Sequence, residues 1–332
     1  MIAVHADWSM HPGKRYHAWA RRVDGKWVAH APAPVGEPGA WLARFLQLGE
    51  KSGKQSGEKS GEAVAMGLDL PLGLPRAFAE GREEDGFPAF LHGSVATPGF
   101  FQVNETLATV NPLRPFYPAR GVKGMTRLSH AQALGMADAS CLSRLCDRAT
   151  AERPAGAPVL WTLGANQSGK AAISAWRDWL GPALVAGAPV ALWPFEGGLH
   201  ALLRPGRAVL AEVYPAEALR QLGLRLRGSK RDAAARLAFA PALLDAFGRL
   251  DVAMAPELRA AIAHGFGIDA AGEDRLDCVL GLLGLIQVLD GTRPDYIPDD
   301  PWVRRWEGWV LGQGPPEPLP KVVLAGLDPA IS

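Results

Sequence analysis

The sequence predicts an α/β fold: a mixed sheet, antiparallel in its opening strands and parallel afterwards, flanked by helices. Three observations carry this reading. Two short β-like runs, YHAWARRV and KWVAHA, meet across Asp24-Gly25, which is a hairpin signal. Apolar runs at IAVHA (2–6), AVAMGLDL (63–70) and AVLAEVYP (208–215) have the length and composition of buried strands. Helical patterns fall between and after them, most clearly in GEDRLDCVLGLLGLIQVLDG (272–291), as a layered sheet-and-helix fold requires.

Taken in order, the first strand ends at Asp7 and the hairpin follows. The segment 37–49 reads as a helix, with Trp41, Leu42, Phe45, Leu46 and Leu48 apolar and Pro38 near its first turn. Residues 49–62 repeat Ser-Gly with Lys and Glu, offer nothing to bury, and read as a flexible surface loop. After the strand that ends at Asp69 comes a large stretch, 76–157, rich in Gly, Pro and Arg, with its best helical signal at 129–151. APVLWTL (157–163) and APVALWPF (188–195) read as strands, with the helix KAAISAWRDWL between them. Helices are expected after Pro215, at 230–250 and at 255–264. The expected organisation is one domain over 1–311 with an insertion at 76–157, then a loose, Pro-rich tail over 312–332.

The bulk composition excludes several classes. A formal charge of +1 sets up no global field, so any polyanion site has to be a local patch. Three cysteines, Cys141, Cys146 and Cys278, without a CxxC pair argue against a disulfide framework or zinc knuckle and for a reducing compartment. The apolar run CVLGLLGLIQVL is too short to span a bilayer, and the opening MIAVHADWS lacks the flank of a signal peptide. A cytoplasmic protein is expected.

Carboxylates stand where a core should not want them. Asp7 and Asp69 end strands, and Glu212 sits among Leu210, Ala211, Val213 and Tyr214. Asp274 and Asp277 lie three apart and share a helix face. Ala65 and Gly67 lie on the Asp69 side of their strand, while Cys278, Gly281 and Gly284 follow Asp277; these small residues permit close packing. If the acids converge they cannot all ionise unaided, and a divalent cation resolves the conflict. Oxygen-only ligands favour Mg²⁺ or Mn²⁺, and two such ions can support phosphodiester cleavage. Each acid also has a structural reading: Asp7 and Asp69 as turn or cap residues, Asp274 as a helix N-terminal acid, Asp277 paired with Arg275 or Arg236, and Glu212 in a buried salt bridge.

The pieces HADWS, GLDLPLGLP, AEVYPAEAL and EDRLDCVLGLLG, together with GSKRDA, resemble an uncharacterised family of predicted nucleases, a domain of unknown function in the RNase H-like superfamily. The resemblance implies an RNase H-like fold and a metal site built from Asp7, Asp69, Glu212 and Asp277 with Asp274 beside it; the last two acids are similar to the helix acids of Holliday-junction resolvases.

GANQSGKAA (164–172) has the glycine and lysine spacing of a phosphate loop, but Ala171 stands where a Ser or Thr would bind Mg²⁺. Asn166, Gln167 and Lys170 are still expected near the site, with Lys170 and Lys230 as candidate phosphate contacts. No HExxH or GxSxG motif occurs. Two basic clusters, Arg114/Arg120/Lys123/Arg127 and Arg225/Arg227/Lys230/Arg231, read as phosphate patches or solvated faces. Trp302, Trp306 and Trp309 form a helical stripe suited to packing or base stacking. The leading expectation is a Mg²⁺- or Mn²⁺-dependent nuclease or phosphodiesterase, acting on nucleic acid or a small phosphoester. The alternatives are a non-catalytic binding module on the same scaffold and a nucleotide-binding phosphotransferase.

Overall fold

The chain first reverses at Asp24 and Gly25, whose φ angles of 50° and 81° are those of a two-residue hairpin turn matched to the twist of the sheet. The strands are β1 (Ile2–Asp7), β2 (Tyr16–Val23), β3 (Lys26–Pro34), β4 (Val64–Asp69), β5 (Val190–Leu192), β6 (Ala208–Glu212) and β7 (Val252–Met254). This computed structural model describes residues 1–55, 61–121, 123–150, 153–163 and 168–316. Among them the strands form one seven-stranded sheet in the order β5-β6-β4-β1-β2-β3-β7. β1, β2 and β3 pair antiparallel, whereas β4 pairs parallel with β1, β6 with β4, β5 with β6 and β7 with β3.

The helices are α1 (Pro38–Gln55), α2 (Arg76–Ala79), α3 (Phe87–Ser94), α4 (Arg127–Ala133), α5 (Ser168–Ala175), α6 (Gly181–Val185), α7 (Leu199–Leu202), α8 (Pro215–Gln221), α9 (Ala233–Arg249), α10 (Pro256–Ala263) and α11 (Gly272–Leu289). Strand alternation divides them into two layers. Val4 and Ala6 of β1, Met66 and Leu68 of β4 and Leu210 of β6 face one core, shared with Trp41 and Phe45 of α1, Ile173 of α5 and Phe87 and Phe90 of α3. Ala3, Ala65, Val209 and Ala211 face the other, which is filled by α8, α9, α10 and α11. The even and odd positions of each strand therefore meet different helices, and this parity decides which acids can meet.

Several local expectations are corrected. The helix expected at 37–49 runs on to Gln55 through the Ser-Gly segment, whose Lys, Glu and Gln residues are good helix formers; residues 56–60 of the expected loop lie outside the described residues. The helical signal at 129–151 yields only α4, stopped by Gly135 at φ 76°, and two short 3₁₀ turns. The run 157–163 is not a strand: Trp161 N–H turns back onto the Pro158 carbonyl, and Trp161 makes only an isolated bridge to Tyr117. The tail packs further than expected, since Gln313 is 7 % exposed and accepts a hydrogen bond from the Trp309 indole; residues 317–332 lie outside the described residues. The tryptophan stripe is split at Gly308, with Trp306 in one core and Trp309 in the other, so neither offers a face for stacking. β7, at the sheet edge, carried no sequence signal beyond a three-residue apolar run. No helix among the described residues is long and apolar enough to cross a membrane.

Candidate functional site

Asp7 and Asp69 are register partners at the ends of the adjacent parallel strands β1 and β4. Both occupy odd positions, so they share the sheet face that α11 covers, and α11 carries Asp274 and Asp277. The helix comes close because the facing residues are small. A Cβ on Gly281 would overlap the His5 imidazole, and one on Gly67 would stand 2.8 Å from Val213 Cγ2 and 3.0 Å from the His5 ring. His5 accordingly sits fully buried between β1 and α11, its Nε2 3.1 Å from the Val213 carbonyl; burial lowers its pKa to about 4, so the ring is neutral and its Nε2–H donates there.

The four aspartates form one electrostatic group. Asp7 feels the charges of Asp69, Asp277 and Asp274 together. Burial, then the charges of Asp69, Asp277 and Asp274, push the Asp7 carboxyl well above the usual carboxylate range. Burial and the Asp277 charge raise Asp69 to about 7, against the pull of Lys230. Asp277 is also raised, first by burial, although the Lys230 ammonium pairs with its Oδ1. Asp274 is raised by burial and by Glu273. The alternative partners of Asp277 are engaged elsewhere: Arg275 pairs with Asp269 at 2.9 Å, and Arg236 binds the Gly265, Lys230 and Gly267 carbonyls. Arg236 thereby fixes the loop that presents Lys230.

The Glu212 side chain turns away from this group, although its charge adds to the raising of Asp69, and the reason is parity. Its register partner is Leu68, not Asp69, so it points to the opposite face of the sheet. There Arg144, from the 76–157 segment, takes both its oxygens at 2.7 Å, and the Leu72 N–H donates to Oε2 at 2.8 Å. Arg144 also holds Asp147 through two bonds of 2.8 and 3.0 Å and donates to Tyr214 Oη at 3.1 Å. Both Arg144 and Glu212 are fully buried. Of the two readings of Glu212, the buried salt bridge is the one this geometry matches. Arg144 and Asp147 were missed; their only sequence signal is an Arg–Asp pair three apart, flanked by the apolar Leu142, Leu145 and Cys146.

Asp69 and Asp277 open into a cleft of about 530 Å³, which Lys230, Lys170, Trp8 and Tyr214 also line. Lys170 reaches it from the first turn of α5. Asn166 and Gln167 lie outside the described residues. Of the two basic clusters, Lys230 is the one member among the lining residues.

The donor chemistry of the aspartates fits a hard divalent cation: oxygen-only ligands whose carboxyls are raised by burial and by one another despite Lys230 beside Asp277 and Asp69 and Lys14 and Arg275 beside Asp274. Among the described residues, however, no group of three His, Cys, Asp or Glu side chains stands ready-made to hold a metal ion. Asp277 is turned to Lys230, so binding a cation requires this side chain to exchange partners.

No family model, curated protein or solved structure matches the chain.

Proposed function

We propose that the protein is a Mg²⁺- or Mn²⁺-dependent hydrolase of phosphodiester bonds on an RNase H-like scaffold. The observation that carries this reading is the convergence of Asp7, Asp69, Asp274 and Asp277 from two parallel strand ends and one helix, with Asp69 and Asp277 lining a cleft. The strand order β3-β2-β1-β4-β6, antiparallel and then parallel, supports the scaffold, and the segment 76–157 is the insertion in this reading. Asp7, Asp69 and Asp277 would hold the cation, with Asp274 beside them, and Glu212 would stay with Arg144.

A bound divalent cation supplies charge stabilisation for the phosphoryl oxygens and acidifies a coordinated water. The chain's own groups do the rest. Lys230 and Lys170 offset the phosphate charge. Asp69, raised to about 7 without a cation by burial and the Asp277 charge, would give up its proton on holding the ion. The reaction is a hydrolysis without redox: water oxygen bonds to phosphorus, the ester P–O bond breaks, and the departing oxygen ends protonated.

The test is a Mn²⁺ titration with labelled DNA, RNA and small diesters. Cleavage should appear with the ion and fall by on the order of 10²-fold in Asp69→Asn, which removes a carboxylate that would hold the cation. Undiminished cleavage by that variant refutes the assignment. The Lys230–Asp277 pair favours a second reading, a non-catalytic binding module whose acids are neutralised by protein groups. Absence of Mg²⁺ or Mn²⁺ binding at millimolar concentration by calorimetry would select it.

A further inference from the structure

We propose that the cleft takes a compact phosphoester, either a mononucleotide-sized diester or the unpaired end of a strand, and excludes an intact duplex. The inference rests on the hydrolase reading for its chemistry but on the shape and charge of the cleft for its specificity.

Shape comes first. A volume of about 530 Å³ is that of a small-ligand pocket rather than a groove that tracks many phosphates. One wall is the stretch from Arg153 to Ala157, and it is tied down. Arg153 donates to the Cys146 carbonyl and pairs at 3.3 Å with Glu217 of α8, which also lines the cleft; Gly156 N–H donates to the Asp147 carbonyl at 2.7 Å. Asp147 is in turn held by Arg144. The 76–157 segment is thus tied to α8 along the lining of the cleft, which holds the walls of this small pocket together.

Charge gives the same answer. Proteins that grip a duplex neutralise many successive phosphates with a line of cations. Here Arg114, Arg120, Lys123 and Arg127 are absent from the lining, as are Arg225, Arg227 and Arg231. Lys170 lines the cleft and makes no ion pair among the described residues, and Lys230 is the other lysine beside the acids. Arg153 and Arg220 also line it, but both pair with Glu217, and Lys230 pairs with Asp277, so among the described residues Lys170 is the lining cation without an ion pair, enough for one phosphate rather than a run of them. Trp8 is 5 % exposed, stacks on Trp179 at 4.9 Å and carries the Arg15 guanidinium at 4.6 Å, so it is no platform for successive bases.

The test has a binding arm and a turnover arm, both on the full chain with Mn²⁺. In the first, adenosine monophosphate is titrated calorimetrically; Lys170→Met should weaken binding about tenfold and Lys170→Arg should retain it, as expected for loss and retention of one charge-assisted phosphate contact. In the second, bis(p-nitrophenyl) phosphate, a short single strand and the matching blunt duplex are compared. The first two should be hydrolysed, the strand from an end, and the duplex at less than about a tenth of the rate, one factor of ten being about 1.4 kcal/mol. Internal duplex cleavage at an equal rate overturns the inference and leaves the hydrolase reading standing. Lysine-dependent nucleotide binding with no turnover of any probe does the reverse. No nucleotide binding, or binding indifferent to Lys170→Met, overturns the inference on its own.

Discussion

Arg144 has no exposed surface, and its guanidinium is shared between Glu212 and Asp147, so three charges are buried together. Removing the cation leaves two buried carboxylates without a countercharge, Glu212 keeping only the Leu72 N–H. Arg144→Met should therefore cost about 3–5 kcal/mol, the range for breaking a buried pair from one side. Glu212→Gln leaves Asp147 on the guanidinium and should cost less. The double variant should be more stable than the sum of the singles predicts, by on the order of 1–3 kcal/mol, in a urea-unfolding cycle; strict additivity would show that Arg144 and Glu212 are not coupled. His17 makes a prediction of a different kind. It is 1 % exposed against Trp41 and Phe45, and burial, helped by the Arg44 charge, lowers its pKa to about 4. The folded state then binds fewer protons than the unfolded state between about pH 4 and 6.5. Stability from this residue is complete above 6.5 and is lost as pH falls toward 4, at about 1.4 kcal/mol per pH unit. His17→Phe should flatten the acid limb of a Tm-against-pH curve by one proton's worth, His5 still supplying its own; an unchanged slope would show that the ring charges freely in the folded protein.

α11 owes its place to residues without side chains. Gly281 sits on the His5 ring, and Gly284 lies so near α8 that a Cβ there would be 2.7 Å from that of Ala218. Gly281→Ala should push α11 from β1 and cost about 1–3 kcal/mol, as overpacking does. It should also weaken any metal-dependent signal, because Asp277 is one turn away on the same helix. Gly248 in α9 is the control: a Cβ there meets nothing within 4 Å, so Gly248→Ala should stabilise by about 0.5–1 kcal/mol through helix propensity. Unfolding midpoints of the two variants should move in opposite directions. Much at this scale was legible. The Asp24-Gly25 turn, the three buried runs and the periodicity of 272–291 each formed the expected element, since turn chemistry and apolar pattern act locally. The strand expected at 157–163 failed because an apolar run fixes burial, not pairing: Val159 and Leu160 are fully buried without joining the sheet.

Across the whole molecule, two sheet faces carry two different polar centres at the same strand ends. The α11 face gathers Asp7, Asp69, Asp274 and Asp277, and the opposite face gathers Arg144, Asp147 and Glu212. Tyr214 Oη, which accepts from Arg144 while Tyr214 lines the cleft, joins the two. The aspartate centre stores like-charge repulsion that a divalent cation would relieve. Mn²⁺ should then raise the Tm of the wild-type protein, by a free energy of about 2.7 kcal/mol at one hundred times its Kd. Asp69→Asn should raise the metal-free Tm and lose most of the ion's effect. A wild-type Tm unmoved by millimolar Mn²⁺ would leave the aspartates with no cation to hold.

The sequence by itself determined which residues would form the hairpin, the buried strands and the long helix, that Asp7 and Asp69 ended buried strands where charge is expensive, and that Asp274 and Asp277 shared one face of the long helix. These follow from local pattern and from the cost of desolvating a carboxylate. Which acids meet was decided only by the tertiary structure. Glu212 and Asp69 both end apolar strands, yet the register that pairs Leu68 with Glu212 turns them to opposite faces. A shift of one residue in β6 against β4 would have set Glu212 beside Asp69 on the α11 face, and strand register is set by long-range pairing that no single segment encodes.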